Sequence, residues 1–470
     1  MQVVVIGAGV AGLGASLALA RRGHTVTVLE RDPHAPPADP REAFDEWERP
    51  GVPHFRLPHL FLALARVLLE REFPDVLDAL QAAGASDVPL RDRVPGGPTA
   101  ADADLVALTC RRPLFEWGLR RAAEAAPAIT LRTGVRVEGL VASGDRITGV
   151  RTNESGAIGA DLVVDASGRG SRVGAWLTDQ ALSEPSEESD PCGVIYHSRH
   201  FERDAGFEYP TRQGLFGPRG DLGYMSFATF PGEDRSWCLA LSVPPYDDEL
   251  RAIRRAPAFM AAARAIPSIV ELIDASVPTT DVLLMGELHN RTRSFISDKP
   301  TVTGLIVIGD ALTQTDPSFG WGLSIGLQQA IWLAELVDVH GADLRSLALA
   351  FDSEVAAWSA TYYRASRDTD RGRTSWWKGE IERDAALAIG GPLFLGAVVP
   401  AAARSDPEIF RAFSRRNNLL DPVDRLPSDR ALLERAAAMF AEQQRTAAPS
   451  PPAGPDRGTM LQRIREAAPA

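Results

Sequence analysis

QVVVIGAGVAGLGASLALARRGHTVTVLE, residues 2–30, is the stretch whose reading decides the fold. The apolar, β-rich run 2–6 enters Gly7, residues 13–22 have helix-forming composition, Gly23 ends them, and 24–30 alternates toward a second strand. This spacing predicts a βαβ unit. Gly7, Gly9 and Gly12 fall where strand turns into helix: the first permits the tight turn, the second lets the backbone approach a pyrophosphate, and the third lets helix pack on strand. Glu30 closes the second strand, where a carboxylate accepts the ribose hydroxyls of an adenosine and disfavours a 2′-phosphate. A glycine-rich turn without a ligand has the same pattern, so other segments must decide.

Two segments do so. GDALTQTDPSFGWG, residues 309–322, follows the predicted strand 305–308 and opens a helix from about Leu323. Asp310 is placed to bond a ribityl hydroxyl, and the small residues around Pro317, Gly320 and Gly322 let amides at the helix start approach a flavin ring edge. There the positive end of the helix stabilises the negative charge that reduction brings. Read alone, the segment is also a strand exit with a helix cap. DASG, residues 165–168, ends the predicted strand 161–165, and Asp165 either caps its own turn or faces the cofactor.

With 470 residues, 45% apolar and 24% charged, the chain is long enough for two or three domains. A formal net charge of -12 without a basic stripe argues against nucleic acid. Three cysteines, Cys110, Cys192 and Cys238, form no CxxC and no disulfide framework, so they read as buried spectators in a reducing interior, the cytoplasm. The uncharged start, residues 1–20, lacks the cationic segment of a secretory signal, and no other stretch is apolar enough to span a membrane. Histidines 197 and 200 have no ligand-spaced partners, so no metal is expected.

The chain is expected to be α/β: a Rossmann-like domain with the GxGxxG loop, discontinuous over 1–180 and 281–345, an inserted antiparallel-sheet substrate domain at 181–280, and a C-terminal helical region at 346–470. Residues 31–58 read as a long covering loop, 129–151 as a small meander, and 193–201, 223–230 and 236–243 as strands of the inserted sheet. Residues 449–455 read as a mobile Pro-rich linker before a short terminal helix.

On these three motifs, the chain resembles the FAD-dependent monooxygenases of the para-hydroxybenzoate hydroxylase fold, and among them bacterial oxidoreductases related to polyether epoxidases. The likeness covers about residues 1–377. It implies FAD held at its ADP end by Gly7, Gly9, Ala11, Gly12, Glu30 and Arg31, with Val137 near the adenine, and at its ring by Asp310, Pro317, Gly320, Gly322 and Leu323. In TCRRPLFEWGLR the cofactor-contacting arginine falls on Arg112, VPHFRLPH puts Arg56 and His59 near the site, and Asp165 and Gly168 match the element associated with FAD and pyridine nucleotide. His54, Arg56 and His59 read equally well as structural loop residues.

The resemblance implies a monooxygenase, hydroxylase or epoxidase, acting in secondary metabolism: a flavin C4a-hydroperoxide delivers one oxygen atom of O2 to a small molecule. NADH or NADPH supplies electrons, directly or through a flavin reductase. No catalytic side chain is identified, since the cofactor carries the hard step. Ile195, Tyr196, Tyr224, Met225, Phe227 and Trp237 suggest a largely apolar or aromatic substrate, although such residues also build cores. Three other readings exist. A halogenase is disfavoured because Trp376-Trp377 is followed by Lys378-Gly379 rather than completing WxWxIP; a reductase similar to geranylgeranyl reductases is echoed by GYMSFATFPGE, residues 223–233; and a silent flavin-binding scaffold needs no dry pocket. Trp321, where relatives carry a polar or cationic residue, reads as a shield beside the flavin or as a packed anchor.

Overall fold

The computed structural model describes residues 1–154, 156–210, 216–296, 300, 302–446 and 453–468. Strand β1 (Gln2–Ile6), helix α1 (Val10–Arg21) and strand β2 (Thr25–Glu30) form the opening unit, followed after the long covering loop by α2 (Arg112–Ala125) and β3 (Ile129–Thr133). Next come β4 (Leu162–Asp165), β5 (Ser186–Pro191), β6 (Ile195–Arg203), β7 (Arg219–Asp221), β8 (Ser226–Pro231) and β9 (Ser236–Val243). Helix α3 (Ala256–Arg264), β10 (Ser276–Pro278), β11 (Leu283–Met285), β12 (His289–Ser294), β13 (Leu305–Val307) and β14 (Thr313–Gln314) lead to α4 (Trp321–His340), α5 (Ala357–Trp377) and α6 (Arg457–Ala467).

The parallel sheet runs β13-β4-β1-β2-β3. Val3, Val4 and Val5 are buried, as are Val163 and Val164, because helices cover both faces of such a sheet. The late strand β13 returns beside β4, as its sequence predicts. One expectation needs correcting: residues 129–133 are not in the meander but pair with β2 in this sheet, so the meander comprises Val137–Ser143, Arg146–Thr152 and Ala157–Gly159. The parallel neighbour β2 supplies an open edge that takes the run at 129.

Strands β5, β12 and β14 make a small antiparallel sheet, through which the chain leaves the nucleotide-type unit and returns to it. The larger antiparallel sheet runs β7-β8-β9-β6-β10, with β11 also on β6. Its strands reach past residue 280 to Met285. Met225, Phe227, Trp237, Leu239, Leu241 and Val243 bury one face against Phe259 and Ile266 of the helical layer and against Met460, Leu461 and Ile464 of α6. The terminal helix is therefore part of this domain's core. Of the Pro-rich linker, residues 449–452 lie outside the described residues.

Candidate functional site

The loop after β1 has the geometry that pyrophosphate approach requires. Gly7 has φ +99°, and a Cβ there would lie 2.7 Å from the Ala166 carbonyl oxygen, so only glycine fits the turn. At Gly9 a Cβ would meet nothing within 4 Å: the open side of the loop is here, at the uncapped start of α1. A Cβ at Gly12 would run into the Gly7 carbonyl. Ala11 touches the later motif, with its Cβ 3.0 Å from where a Cβ at Gly309 would lie.

Glu30 lies at the end of β2 and is only 5% exposed. One carboxylate oxygen accepts the Ala8 N–H at 2.8 Å and Arg49 at 3.0 Å; the other accepts the Asp32 N–H at 2.9 Å. A carboxylate takes about four donors, so a direction remains for a ribose hydroxyl. Arg49 was not singled out in the sequence. Its guanidinium, buried within the covering loop, also reaches Asp32 at 3.2 Å and Glu116 at 2.9 Å. Burial works to lower its pKa, and Glu116, Glu30 and Asp32 overrule that and raise it. A lone arginine in a Pro-rich, acid-rich loop gives no periodic signal, which is why the sequence did not mark it. Arg31 donates to the Gly51 carbonyl at 2.7 Å, and Val137 opens the meander just beyond Val135, whose N–H donates to the Glu30 carbonyl.

From Glu116 the polar chain continues inward. Arg112 donates to Glu116 at 2.6 Å and to His59 Nε2 at 2.9 Å, while His59 Nδ1–H donates to the Leu57 carbonyl at 2.9 Å. Burial, then the Arg112 charge, hold His59 at a pKa of about 3, so it is a neutral acceptor. His54, its ring centroid 5.8 Å from that of His59, is also pushed well below its ordinary value by burial and Arg112. These are not ordinary surface histidines. Arg56 makes the contacts of a structural loop residue, one of its two expected readings: its guanidinium holds the carbonyls of Phe44, Asp45 and Trp47 within the covering loop, and its own carbonyl meets His200 Nε2 at 2.7 Å. The loop consumes that charge.

Asp310 is raised in pKa by burial, opposed by Arg112, Arg169 and Arg291. Its Oδ1 is 3.6 Å from where a Cβ at Gly322 would stand, which puts the carboxylate at the start of α4. Arg291 donates to the carbonyls of Arg169 and Asp310, both at 3.1 Å, tying the turn after β4 to the turn after β13. Asp165 accepts the Ser167 N–H at 2.9 Å and the Ser171 hydroxyl at 2.6 Å, so its carboxylate caps its own turn. Gly168 in that turn has φ +75°.

The turn of the GDALTQTDPSFGWG motif is built around Asp316, which precedes Pro317. This buried carboxylate accepts the Tyr196 hydroxyl, the Ser318 N–H at 2.8 Å and Arg373 at 2.9 Å. Its own N–H reaches Asn290 and Ser366. Arg373 also bridges to Asp370 at 2.9 Å. Burial and the Asp316 charge push Asp370 well up. For Asp316 burial pushes the same way, but Arg373 and its hydrogen bonds prevail and lower it. The surroundings thus favour the charged form of Asp316 and the protonated form of Asp370. Arg373 occupies the cluster that Cys192 forms with these two acids. Tyr196 thus joins β6 to the motif turn. Gly320, at φ +68°, leaves no room for a Cβ, which would be 2.8 Å from the Leu60 Cβ, so Leu60, the residue that follows the VPHFRLPH segment, packs on this turn. Leu323 is half-buried beside it. Trp321 turns away into the core, stacked on Phe319 at 4.4 Å, edge-on to Tyr362 at 5.3 Å and under Arg416 at 5.8 Å.

The sheet's inner face, opposite the helices, follows from register. Asp221, Ser226, Ser242 and Tyr196 form one row across β7-β8-β9-β6; Arg219, Ala228, Ala240 and Ser198 form the next; Phe230, Cys238 and His200 form a third. Met225, Phe227 and Trp237, expected to line a substrate pocket, belong to the other face and pack in the helical core with Tyr224 and Ile195 beside them. Large apolar groups go where helices can bury them. Of that set only Tyr196 faces inward.

Residues 2–43 match the family model described as FAD dependent oxidoreductase. The chain is 28% identical over 476 residues to Protein Rv3254 of Mycobacterium tuberculosis, covering 91% of each. To kynurenine 3-monooxygenase of Salinispora tropica it is 26% identical over 367 residues, 72% of this chain and 73% of that one. The structure superposes on PqsL, a probable FAD-dependent monooxygenase from Pseudomonas aeruginosa, with TM-score 0.62 and 16% identity, covering 81% of this chain and 98% of PqsL. The chain is an FAD-dependent oxidoreductase. Its fold is that of the flavin monooxygenases and halogenases, for the flavin-dependent brominase Bmp2 matches equally well, at TM-score 0.61 and 17% identity over 94% of this chain and all of Bmp2. For this oxidoreductase the glycine loop, a carboxylate with a free acceptor direction, and an aspartate at an uncapped helix start all fit FAD.

Proposed function

We propose that this flavoprotein is a monooxygenase, a hydroxylase or epoxidase of secondary metabolism, that transfers one oxygen atom of O2 to a small molecule lying between the motif turn and the inner face of the antiparallel sheet. The observation that carries this reading is the Tyr196–Asp316 bond, which ties the ring-end turn to that face. Reduced FAD supplies the activated oxygen.

The chain's own residues bind, orient and exclude water. Gly7, Gly9, Ala11 and Gly12 present backbone to the pyrophosphate, Glu30 and Arg31 serve the ADP end beside Val137, and Arg112 contributes positive charge deeper in. Asp310 accepts a ribityl hydroxyl, while Pro317, Gly320, Gly322 and Leu323 bring the start of α4 to the ring edge, where its N–H groups stabilise the charge of reduction. Arg56 acts indirectly, by fixing the loop that covers His200. Asp165 and Gly168 shape the turn on which Arg169 stands. Water exclusion falls to that covering loop, since a reactive oxygen species needs a dry site.

Electrons come from NADH or NADPH, directly or through a flavin reductase. Three buried, unpaired cysteines fit a reducing interior such as the cytoplasm. Likeness to Bmp2 bears on the fold alone; Trp377 of the tryptophan pair donates to Asp221 at 3.0 Å on the inner face and completes no WxWxIP. To test the reading, the holoprotein is reduced anaerobically with NADH, NADPH or a reductase and then mixed with oxygen while the flavin spectrum is recorded. A transient spectrum distinct from both the reduced and the oxidised forms is expected before reoxidation. Single-step reoxidation without a transient, or no reaction with oxygen, contradicts oxygen transfer and favours the reductase or scaffold.

A further inference from the structure

Trp321 is the inner end of a chain of oxidisable rings. It lies edge-on to Tyr362 at 5.3 Å between centroids, Tyr362 edge-on to Trp358 at 4.8 Å, and Trp358 edge-on to Trp332 at 5.0 Å. Trp321 and Tyr362 are each 1% exposed, whereas Trp332 on α4 and Trp358 on α5 are half-buried and reach solvent. The chain thus runs from the motif turn to the surface. Packing alone accounts for the buried pair, but it does not call for two further indoles that carry the contact outward. Among the described residues no other run of ring contacts joins more than two tryptophans or tyrosines; the stack of Phe201 on Trp237, with Tyr209 beside it, stays inside the sheet domain.

Indole and phenol give up an electron far more readily than phenyl, so the composition of this chain matters as much as its contacts. Rings in contact also divide one long electron jump into several short ones. A second feature gives the chain a direction. Arg416, only 7% exposed, stands 5.8 Å over the Trp321 ring, and its hydrogen bonds go to the Val423 carbonyl at 2.9 Å and the Asn417 side chain at 3.3 Å, not to a carboxylate. A positive charge over the ring favours neutral indole and disfavours its radical cation. An electron hole on Trp321 is therefore pushed outward, to indoles that water can solvate. Burial raises the pKa of the Tyr362 phenol, so Tyr362 keeps its proton and its ring serves as a bridge.

We propose that Trp321, Tyr362, Trp358 and Trp332 form a one-electron conduit between the flavin ring at the start of α4 and a thiol reductant at the protein surface. This inference rests on the placement of the FAD ring at the Gly320–Leu323 turn and adds a light-driven activity to that site. The oxidant is oxidised FAD excited by blue light, which takes one electron from Trp321. Trp321 is refilled from Trp358 through the Tyr362 ring, and Trp358 from Trp332. The Trp332 radical cation releases its indole N–H proton to water. A thiol then returns an electron and a proton to that indole, and two of the resulting thiyl radicals join as a disulfide. The balance is one electron moved from thiol to flavin for each photon used, with the four rings restored.

The test uses the full-length holoprotein under argon with dithiothreitol and blue light, with FAD content and Tm recorded for each variant. Flash spectroscopy should show an indolyl radical in the parent protein, and reduced flavin should accumulate under steady light. Trp358→Phe should slow that accumulation about tenfold or more, because the electron then returns to Trp321 before a thiol can act. Tyr362→Phe keeps the bridging ring and should leave the rate within about twofold, whereas Tyr362→Leu should slow it as Trp358→Phe does. Trp321→Phe should lengthen the flavin fluorescence lifetime, since the nearest electron donor is gone. No indolyl radical in the parent, or accumulation that Trp358→Phe leaves unchanged, overturns the conduit. An unchanged lifetime in Trp321→Phe overturns it together with the ring placement, whereas a lengthened lifetime with accumulation indifferent to Trp358→Phe overturns the conduit alone. Oxygen transfer is tested apart from all of these, since the light reaction runs without oxygen.

Discussion

Arg49 is surrounded by Glu30, Asp32 and Glu116, and removing it strands three buried carboxylates. Arg49→Met should therefore cost about 3–5 kcal/mol in urea unfolding and weaken FAD binding as well, because the orientation of Glu30 depends on it. A loss below about 1 kcal/mol would show that the network relaxes freely. Glu30→Ala and Asp310→Ala, by contrast, should each weaken FAD by about 1–3 kcal/mol in a fluorescence titration while leaving the protein folded; unchanged affinity in either variant removes that carboxylate from the site. Trp321 separates its two readings clearly. Stacked on Phe319 and edge-on to Tyr362, it is an anchor, so Trp321→Ala should lower stability by about 3–5 kcal/mol without changing the share of NAD(P)H oxidation that ends as hydrogen peroxide. A stable variant that leaks more peroxide would restore the shield.

Among the elements, the βαβ unit and the return of β13 were legible because period-2 apolar runs and glycine punctuation mark them directly. The strands of the antiparallel sheet were legible too, but not which face meets the site. In SWCLALSV, residues 236–243, tryptophan, leucines and valine alternate with cysteine, alanine and serine, and only the placement of α3 and α6 decides which set turns inward. Asp316 lay inside a quoted motif, yet its partners Tyr196, Asn290 and Arg373 come from distant segments, and spacing along the chain does not announce such a network. The role of α6 was likewise hidden. Met460, Leu461 and Ile464 are buried against the sheet, and Arg457 pairs with Asp247 at 2.9 Å. Ending the chain at residue 446 should expose this apolar face, at about 1.5–3 kcal/mol per lost side chain, lowering Tm and inducing binding of a hydrophobic dye. An unchanged Tm would mean that the sheet does not rely on the helix.

Across the whole molecule, buried neutral histidines set an acid limit. His197 and His200 are both lowered to about 4 by burial, against an ordinary value of 6.5. Because the folded values lie below the unfolded ones, their contribution is intact above pH 6.5 and lost as pH falls from there toward 4. At pH 5 each costs about 2 kcal/mol relative to neutral pH. The urea midpoint should accordingly fall between pH 7.5 and pH 5, and a midpoint that holds or rises would show these rings already charged in the fold. The most direct test of the whole arrangement is a crystal structure of the yellow holoprotein. FAD should lie with its pyrophosphate over Gly9 and the start of α1, its ribose on Glu30, and its ring between the start of α4 and the sheet face that carries Tyr196. Density for a different nucleotide, or a flavin ring away from the Gly320–Leu323 turn, would contradict the account.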